Sequence, residues 1–377
     1  MIRTLAVSGY RSLVDLTLEL DRLTVVTGPN GSGKSSLYRA LRLLAACGSG
    51  QVVGALAREG GLGSALWAGT SQAPGPQGRV ALRLGFEGDG LGYAVDLGLP
   101  QLPGSSPFAL DPEIKSETVW SGGPLRAGSV QAQRKGPHLR VRDASGAWRD
   151  DPRVLATYES IVDEVADPDG APEVGLVRRT LRGWRFHDDV RTDAGAPART
   201  PHVGTRTQVL GHDGADLAAA LATIIDAGGA DLLDAAVDDA FPGSRIRIDA
   251  AAGLFTLLLE QPGLRRPVTA AEISDGTLRY LVHVAALLSV RPAGLLVLDE
   301  PETGLHPDLA RPLGRLVRRA SERGQVLVVT HSRPLAEGLA DDGAAHVQLT
   351  GGGGRETSVL DGREGALDGP AWAWPGR

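Results

Sequence analysis

Residues 28–35 read GPNGSGKS, and no other stretch restricts the fold of this chain so sharply. The form is G-x-x-x-x-G-K-[ST], with an apolar strand at 23–27 leading in and a helix opening at Ser36 leading out. Gly28, Gly31 and Gly33 can take backbone angles closed to residues with a Cβ. Amides across Asn30, Gly31, Ser32, Gly33, Lys34, Ser35 and Ser36 can therefore turn inward around a phosphate. The positive end of the following helix points at the same place. Lys34 would neutralise β- and γ-phosphates, and the Ser35 hydroxyl suits Mg²⁺, a hard ion that takes oxygen ligands. A glycine-rich turn in a protein with 51 glycines is the plain alternative. It is disfavoured because only Lys34, Lys115 and Lys135 supply lysine in the whole chain.

A second element stands far downstream. Residues 294–298 form a continuous apolar run of the kind buried on both faces in a parallel sheet, and it ends at Asp299 and Glu300. Asp299, at the carboxyl edge of that strand, is expected to hold the magnesium directly or through its water. Glu300 points the other way across the pleat and is the expected base for an attacking water. A further apolar strand, 325–330, ends at His331, which can donate a hydrogen bond to a γ-phosphate. His306 is expected to be positioned by a helix starting at Pro307 rather than to be catalytic. Ser274 reads as an N-cap with Gly276 in the first turn, a second anion-accepting helix end.

The order of these motifs resembles the ABC-type ATPases, and residues 299–307, DEPETGLHP, resemble the RecF/SMC/OLD-related branch. Within it the chain is similar to predicted bacterial AAA-family ATPases with an S-D-G-T signature. Stretches 66–69 (LWAG), 184–186 (WRF), 204–207 (GTRT) and 370–375 (PAWAWP) carry that likeness over nearly the whole chain. The resemblance implies ATP and Mg²⁺ as ligands and ATP hydrolysis as the activity. It also implies a homodimer on ATP binding, with Ser274 and Gly276 contacting the γ-phosphate held by the other subunit. Asp275 departs from the common L-S-G-G-[QE] form, and a carboxylate beside a γ-phosphate is repulsive unless it turns away. Gln101, after the strand 91–99, is the candidate for the glutamine of the family's Q-loop.

The expected fold class is α/β: a P-loop NTPase head of ABC type with a mostly parallel core sheet, an antiparallel β subdomain and an inserted helical or irregular lobe. Head residues are 1–100 and 241–361, the insert is 101–240, and 362–377 is a short aromatic tail. Residues 80–86 and 92–97 read as a hairpin, 139–142 with Trp148 as another, 154–165 as a short helix, and 245–248 with 254–259 as strands. Trp372 and Trp374 are expected to dock on the body of the chain. No sustained heptads appear, and 46 residues follow His331, too few for an OLD-type nuclease domain.

Composition narrows the setting. Net charge is −6, so no global positive field advertises nucleic-acid binding. Arg178, Arg179, Arg182 and Arg185 beside Trp184 form a local basic run. Residues 121–206 nevertheless hold 14 Lys/Arg against 12 Asp/Glu, which favours a solvated or salt-bridged face. A single cysteine, Cys47, fits a reducing compartment, and the sequence has neither an 18-residue apolar run nor a signal-like start. The expectation is cytoplasmic, with no membrane partner and with DNA or a partner protein as regulator, in a DNA-repair or phage-defence type of role. An ATP-gated binding module with negligible turnover stays open as the alternative. A transporter motor is disfavoured by the 240 positions between Lys34 and Ser274.

Overall fold

The computed structural model describes residues 1–67, 81–100, 107–143, 145–165, 167, 169–188, 190–341, 343–352, 355–360 and 372–376. The chain divides into two compact units. The first comprises Met1–Asp21, Val26–Trp184 and Val347–Arg377; the second comprises Arg22–Val25 and Arg185–His346.

The first unit is built on an eight-stranded sheet whose neighbouring strands are all antiparallel. In spatial order its strands are Leu13–Glu19, Thr4–Tyr10, Leu82–Gly88, Leu91–Gly98, Glu113–Ser121, Val130–Lys135, His138–Arg142 and Trp148–Val154. The expected hairpin at 80–97 is present, with Phe86 opposite Tyr93 across a turn at Asp89 and Gly90. Within 101–240 only one hairpin was expected, whereas four strands there continue the same sheet. Period-2 reading missed two of them because buried polar residues occupy core positions. Glu117 and Arg134 face each other across neighbouring strands, both fully buried and ion-paired at 3.4 Å. Glu117 also accepts hydrogen bonds from the Tyr93 hydroxyl (2.6 Å), the Ser160 hydroxyl and the Ile161 amide (2.9 Å).

One face of the sheet carries helices. The helix Lys34–Cys47 buries Leu37, Leu41 and Leu44, and the helix Pro172–Arg182 buries Val174, Val177 and Leu181, the spacing of one helical stripe. Each such leucine contributes roughly 2 kcal/mol of burial. The two helices meet at Gly48, where an added Cβ would lie 2.7 Å from Leu181 Cβ.

The second unit holds a smaller sheet in which Leu295–Asp299 and Gln325–Val329 run parallel, Asp299 opposite Val329. Strand His202–Val203 pairs with Leu254–Glu260, which also pairs with Arg245–Ala251 and Val268–Thr269, all antiparallel. Helices Leu217–Ile224, Ala230–Ala240, Asp275–Leu287, Ala310–Ser321 and Arg333–Asp341 close the core. Leu281, Leu298, Leu313, Val317, Val328 and Leu335 are among its fully buried side chains. Among the described residues, no helix is long and apolar enough to cross a membrane.

Candidate functional site

Strand Leu23–Thr27 runs into the loop 28–33 and then the helix starting at Lys34. Gly28, Gly31 and Gly33 all adopt positive φ (157°, 80° and 100°). At Gly31 and Gly33 these are conformations that a Cβ would strain. Lys34 is buried, and its Nζ donates to the carbonyl oxygens of Gly28 (2.7 Å) and Pro29 (3.1 Å). The ammonium is thus held back over its own loop. Ser32 Oγ is fully buried and has no hydrogen-bond partner among the described residues. A buried hydroxyl without a partner costs about 1–3 kcal/mol, so the loop carries donor capacity that an anion could satisfy. Gly33 is the N-cap of the helix and offers no side chain, which leaves the first amides uncapped from within.

Two residues that the sequence did not single out brace this loop. A Cβ at Gly33 would lie 2.3 Å from Thr357 Oγ1 and 3.0 Å from Ser12 Oγ. Thr357 in turn donates its amide to Ser12 O and its hydroxyl to Ser12 Oγ, both at 2.8 Å. Gly33 is therefore required by its neighbours as well as by its own φ. The hairpin Ala345–Gly352 and Arg355–Val359 brings Gly352 (φ 107°) against Gly31 O.

In the second unit, Asp299 ends its strand and Glu300 leaves it in the left-handed region, φ 47°. Non-glycine residues pay about 1–2 kcal/mol there, and such strain collects at functional sites. The Glu300 amide donates to Val329 O at 2.8 Å, which keeps the acid beside the end of the neighbouring strand. His331 Nδ1 lies 3.5 Å from Glu300 Oε1 and 3.6 Å from Glu302 Oε1. One oxygen of Glu302 accepts the Thr330 hydroxyl, the His331 amide (3.2 Å) and the Ser332 amide (3.1 Å). Glu302 was not among the expected site residues. Its place within DEPE was the available signal, but nothing in sequence gives the strand end it grips.

Ser274 caps the helix Asp275–Leu287, its Oγ accepting from the Thr277 amide at 3.2 Å. Gly276 lies against the turn after the two acids, where an added Cβ would be 3.1 Å from Gly304 O. Asp275 is ion-paired with Arg199, a nearly buried guanidinium that also donates to the carbonyls of Thr192 (2.8 Å), Ala270 (2.9 Å) and Ile273 (2.6 Å). The second unit therefore gathers Ser274, Gly276, Asp299, Glu300 and His331 on adjoining elements, while the first carries residues 30–36 on a loop and the helix start that follows it. His306 caps the short turn Pro307–Leu309, accepting from the Asp308 amide at 3.4 Å.

The sequence of residues 23–336 matches the family described as "AAA domain, putative AbiEii toxin, Type IV TA system". The chain belongs to this family. Its fold is also that of SMC heads. A structure of an SmcHead bound to the C-winged helix domain of ScpA is similar over 95% of this chain and 97% of that one, with TM-score 0.51 and 12% identity. An Smc head with an extended coiled coil, bound to the C-terminal domain of ScpA derived from Pyrococcus furiosus, gives 0.52 and 12% over 95% and 96%. No curated protein matches the sequence.

In this AAA-family chain two arginines of the run, Arg178 and Arg182, are tied into the first unit. Arg178 donates to the carbonyls of Val162 and Asp163, and Arg182 to Gly48 O and to Asp163. Trp184 is buried and packs 5.5 Å from Phe86, centroid to centroid. Gln101 lies outside the described residues, as do Ala68, Gly69, Pro370 and Ala371. Among the described residues no group of three or more His, Cys, Asp or Glu is placed to hold a metal. A hydroxyl and one carboxylate, with substrate phosphates and water completing the shell, is the donor set magnesium accepts.

Proposed function

We propose that this protein binds Mg-ATP and hydrolyses it to ADP and phosphate, acting through ATP-dependent pairing of two heads. The observation that carries the reading is the loop 28–33, with its positive-φ glycines, buried Lys34 and unpartnered Ser32 hydroxyl at an uncapped helix start. In this reading amides of residues 30–36 and Lys34 take the β- and γ-phosphates, Lys34 exchanging its two carbonyl partners for phosphate oxygens. Ser35 and Asp299 are the magnesium ligands, and the ion neutralises charge that develops on the phosphates. Glu300 accepts the proton of the attacking water, and His331 donates to the γ-phosphate. Ser274 and Gly276 meet the γ-phosphate of the second copy, with Asp275 neutralised by Arg199. That neutralisation removes the main objection to signature engagement, and so weakens the reading as an ATP gate without turnover.

The family's description names a toxin of a type IV TA system, and the SMC heads of similar fold were solved with a partner protein. Both favour a role in which nucleotide state governs binding to another macromolecule. The test is a pair of variants: Lys34→Ala should lose nucleotide, and Glu300→Gln should retain ATP, stop hydrolysing and accumulate as a dimer. Unmutated turnover in Glu300→Gln removes the assigned base. No heat on titrating the wild-type protein with Mg-ATP, at concentrations that permit self-association, removes the whole reading.

A further inference from the structure

The face of the eight-stranded sheet opposite the helices carries a cross-strand row: Gly85, Ala94, Thr118, Gln133, Arg140 and Asp150 stand directly opposite one another in turn. Residues so paired project to one side. The small end of the row makes room for the C-terminal indoles. A Cβ at Gly85 would lie 2.6 Å from Trp372 Cζ2, Trp372 packs 5.7 Å from Trp120, and Trp374 packs 5.3 Å from Trp372. Arg83, paired with Asp96 at 3.5 Å, lies 5.9 Å from the Trp374 ring. The tail thus docks on the body of the chain, as expected from sequence.

Beyond the indoles the face opens into a groove of about 420 Å³. Trp374 stands on one side and Trp148, on the outermost strand, on the other, with Gln133, Lys135, Arg140 and Arg126 lining the space between. Its floor spans three strand spacings, about 14 Å. Among the described residues no carboxylate pairs with Arg126, Lys135 or Arg140. Arg140 donates to Gln133 and lies over Trp148 at 4.5 Å, and Arg142 lies over the same ring at 4.6 Å. Of the carboxylates nearby, Asp96 is taken by Arg83 and Asp150 stands beside Arg140 at the outer rim. In a chain of net charge −6, three cations without an ion pair between two indoles, with Asp150 only at the rim, are a local exception.

We propose that this groove binds single-stranded nucleic acid. The cations suit a phosphate backbone, and the indoles suit bases, whose π-faces stack on aromatic rings whatever the sequence. Duplex is disfavoured because paired bases are already stacked on one another. An acidic peptide would satisfy the cations but offer no planar group to the indoles. The groove lies wholly within the first unit, and the inference adds to the ATPase reading only by naming the regulating ligand.

The test is fluorescence anisotropy on the full chain without nucleotide, using labelled oligo-dT, oligo-U, a blunt DNA duplex and a poly-glutamate peptide across a salt series. Oligo-dT, oligo-U or both should bind at least tenfold tighter than duplex or peptide, and the two single-stranded arms distinguish DNA from RNA. Lys135→Ala/Arg140→Ala should weaken that binding about tenfold. It should also reduce the slope of log K against log salt by about 1.4, two contacts at roughly 0.7 each. Arg126→Ala serves as a second variant should the double substitution disturb folding. Lys34→Ala should bind oligonucleotide like wild type, which separates this inference from the ATPase reading. Equal binding of duplex or peptide, no binding of either single strand, or folded variants with unchanged affinity and slope would overturn it.

Discussion

The buried guanidinium of Arg199 holds the carboxylate of Asp275 at the first turn of the helix Asp275–Leu287. The same guanidinium ties down the carbonyls of Thr192, Ala270 and Ile273, so one side chain both fixes the approach to the helix and cancels the charge at its start.

Arg199→Met should therefore produce two separable defects. Loss of the buried donors should destabilise the protein by about 3 kcal/mol, read as a lowered urea midpoint. The uncancelled Asp275 should raise the KM for ATP and suppress ATP-dependent dimer. Adding Asp275→Asn should restore KM and dimerisation without restoring stability. If the double variant recovers neither, Arg199 is structural only.

Glu300 offers a test of stored strain. Glycine adopts φ near 47° without the Cβ penalty but loses more chain entropy on folding. Glu300→Gly should leave stability unchanged or raise it by up to about 1 kcal/mol while abolishing turnover. A clear loss of stability would show that the acid's contacts outweigh its backbone cost.

In the first unit, Arg134→Met should strand Glu117 as an uncompensated buried charge and cost about 3–5 kcal/mol. A double-mutant cycle with Glu117→Gln should show strong coupling between the two positions. A loss under 1 kcal/mol in the single variant would mean that Tyr93, Ser160 and the Ile161 amide suffice for Glu117.

Two buried histidines set an acid limit on the second unit. Burial pushes His187 down to about 4 and His283 down to about 3, and each is further depressed by nearby positive groups. Both fold neutral, while the unfolded chain protonates them near 6.5, so below that pH the unfolded state binds more protons. Stability should be full above pH 6.5 and fall by about 1.4 kcal/mol per unit for each histidine until its folded value is reached. His283→Leu should remove about half of that slope between pH 6.5 and 5, measured by urea unfolding. An unchanged slope would exclude His283 as a source.

What could be read from sequence was local. The loop 28–35, the two-acid strand, the Ser274 cap and the hairpin at 80–97 each carry their signal within a few residues, because turn glycines, caps and strand periodicity are short-range. What could not be read depends on partners distant in the chain. Arg199 reaches Asp275 across 76 positions, and Thr357 reaches Ser12 across 345. The strands at 113–135 were obscured for a related reason. Glu117 and Arg134 look solvated singly and are buried only because each supplies what the other lacks.

One oxygen of Glu302 gathers three donors from the end of a neighbouring strand, and Glu300 and His331 sit on either side of that knot. Acid and imidazole are in effect riveted to one plate. The Glu300 amide is bound to Val329 O and the His331 amide to Glu302, so a shift of that strand end displaces acid and imidazole together.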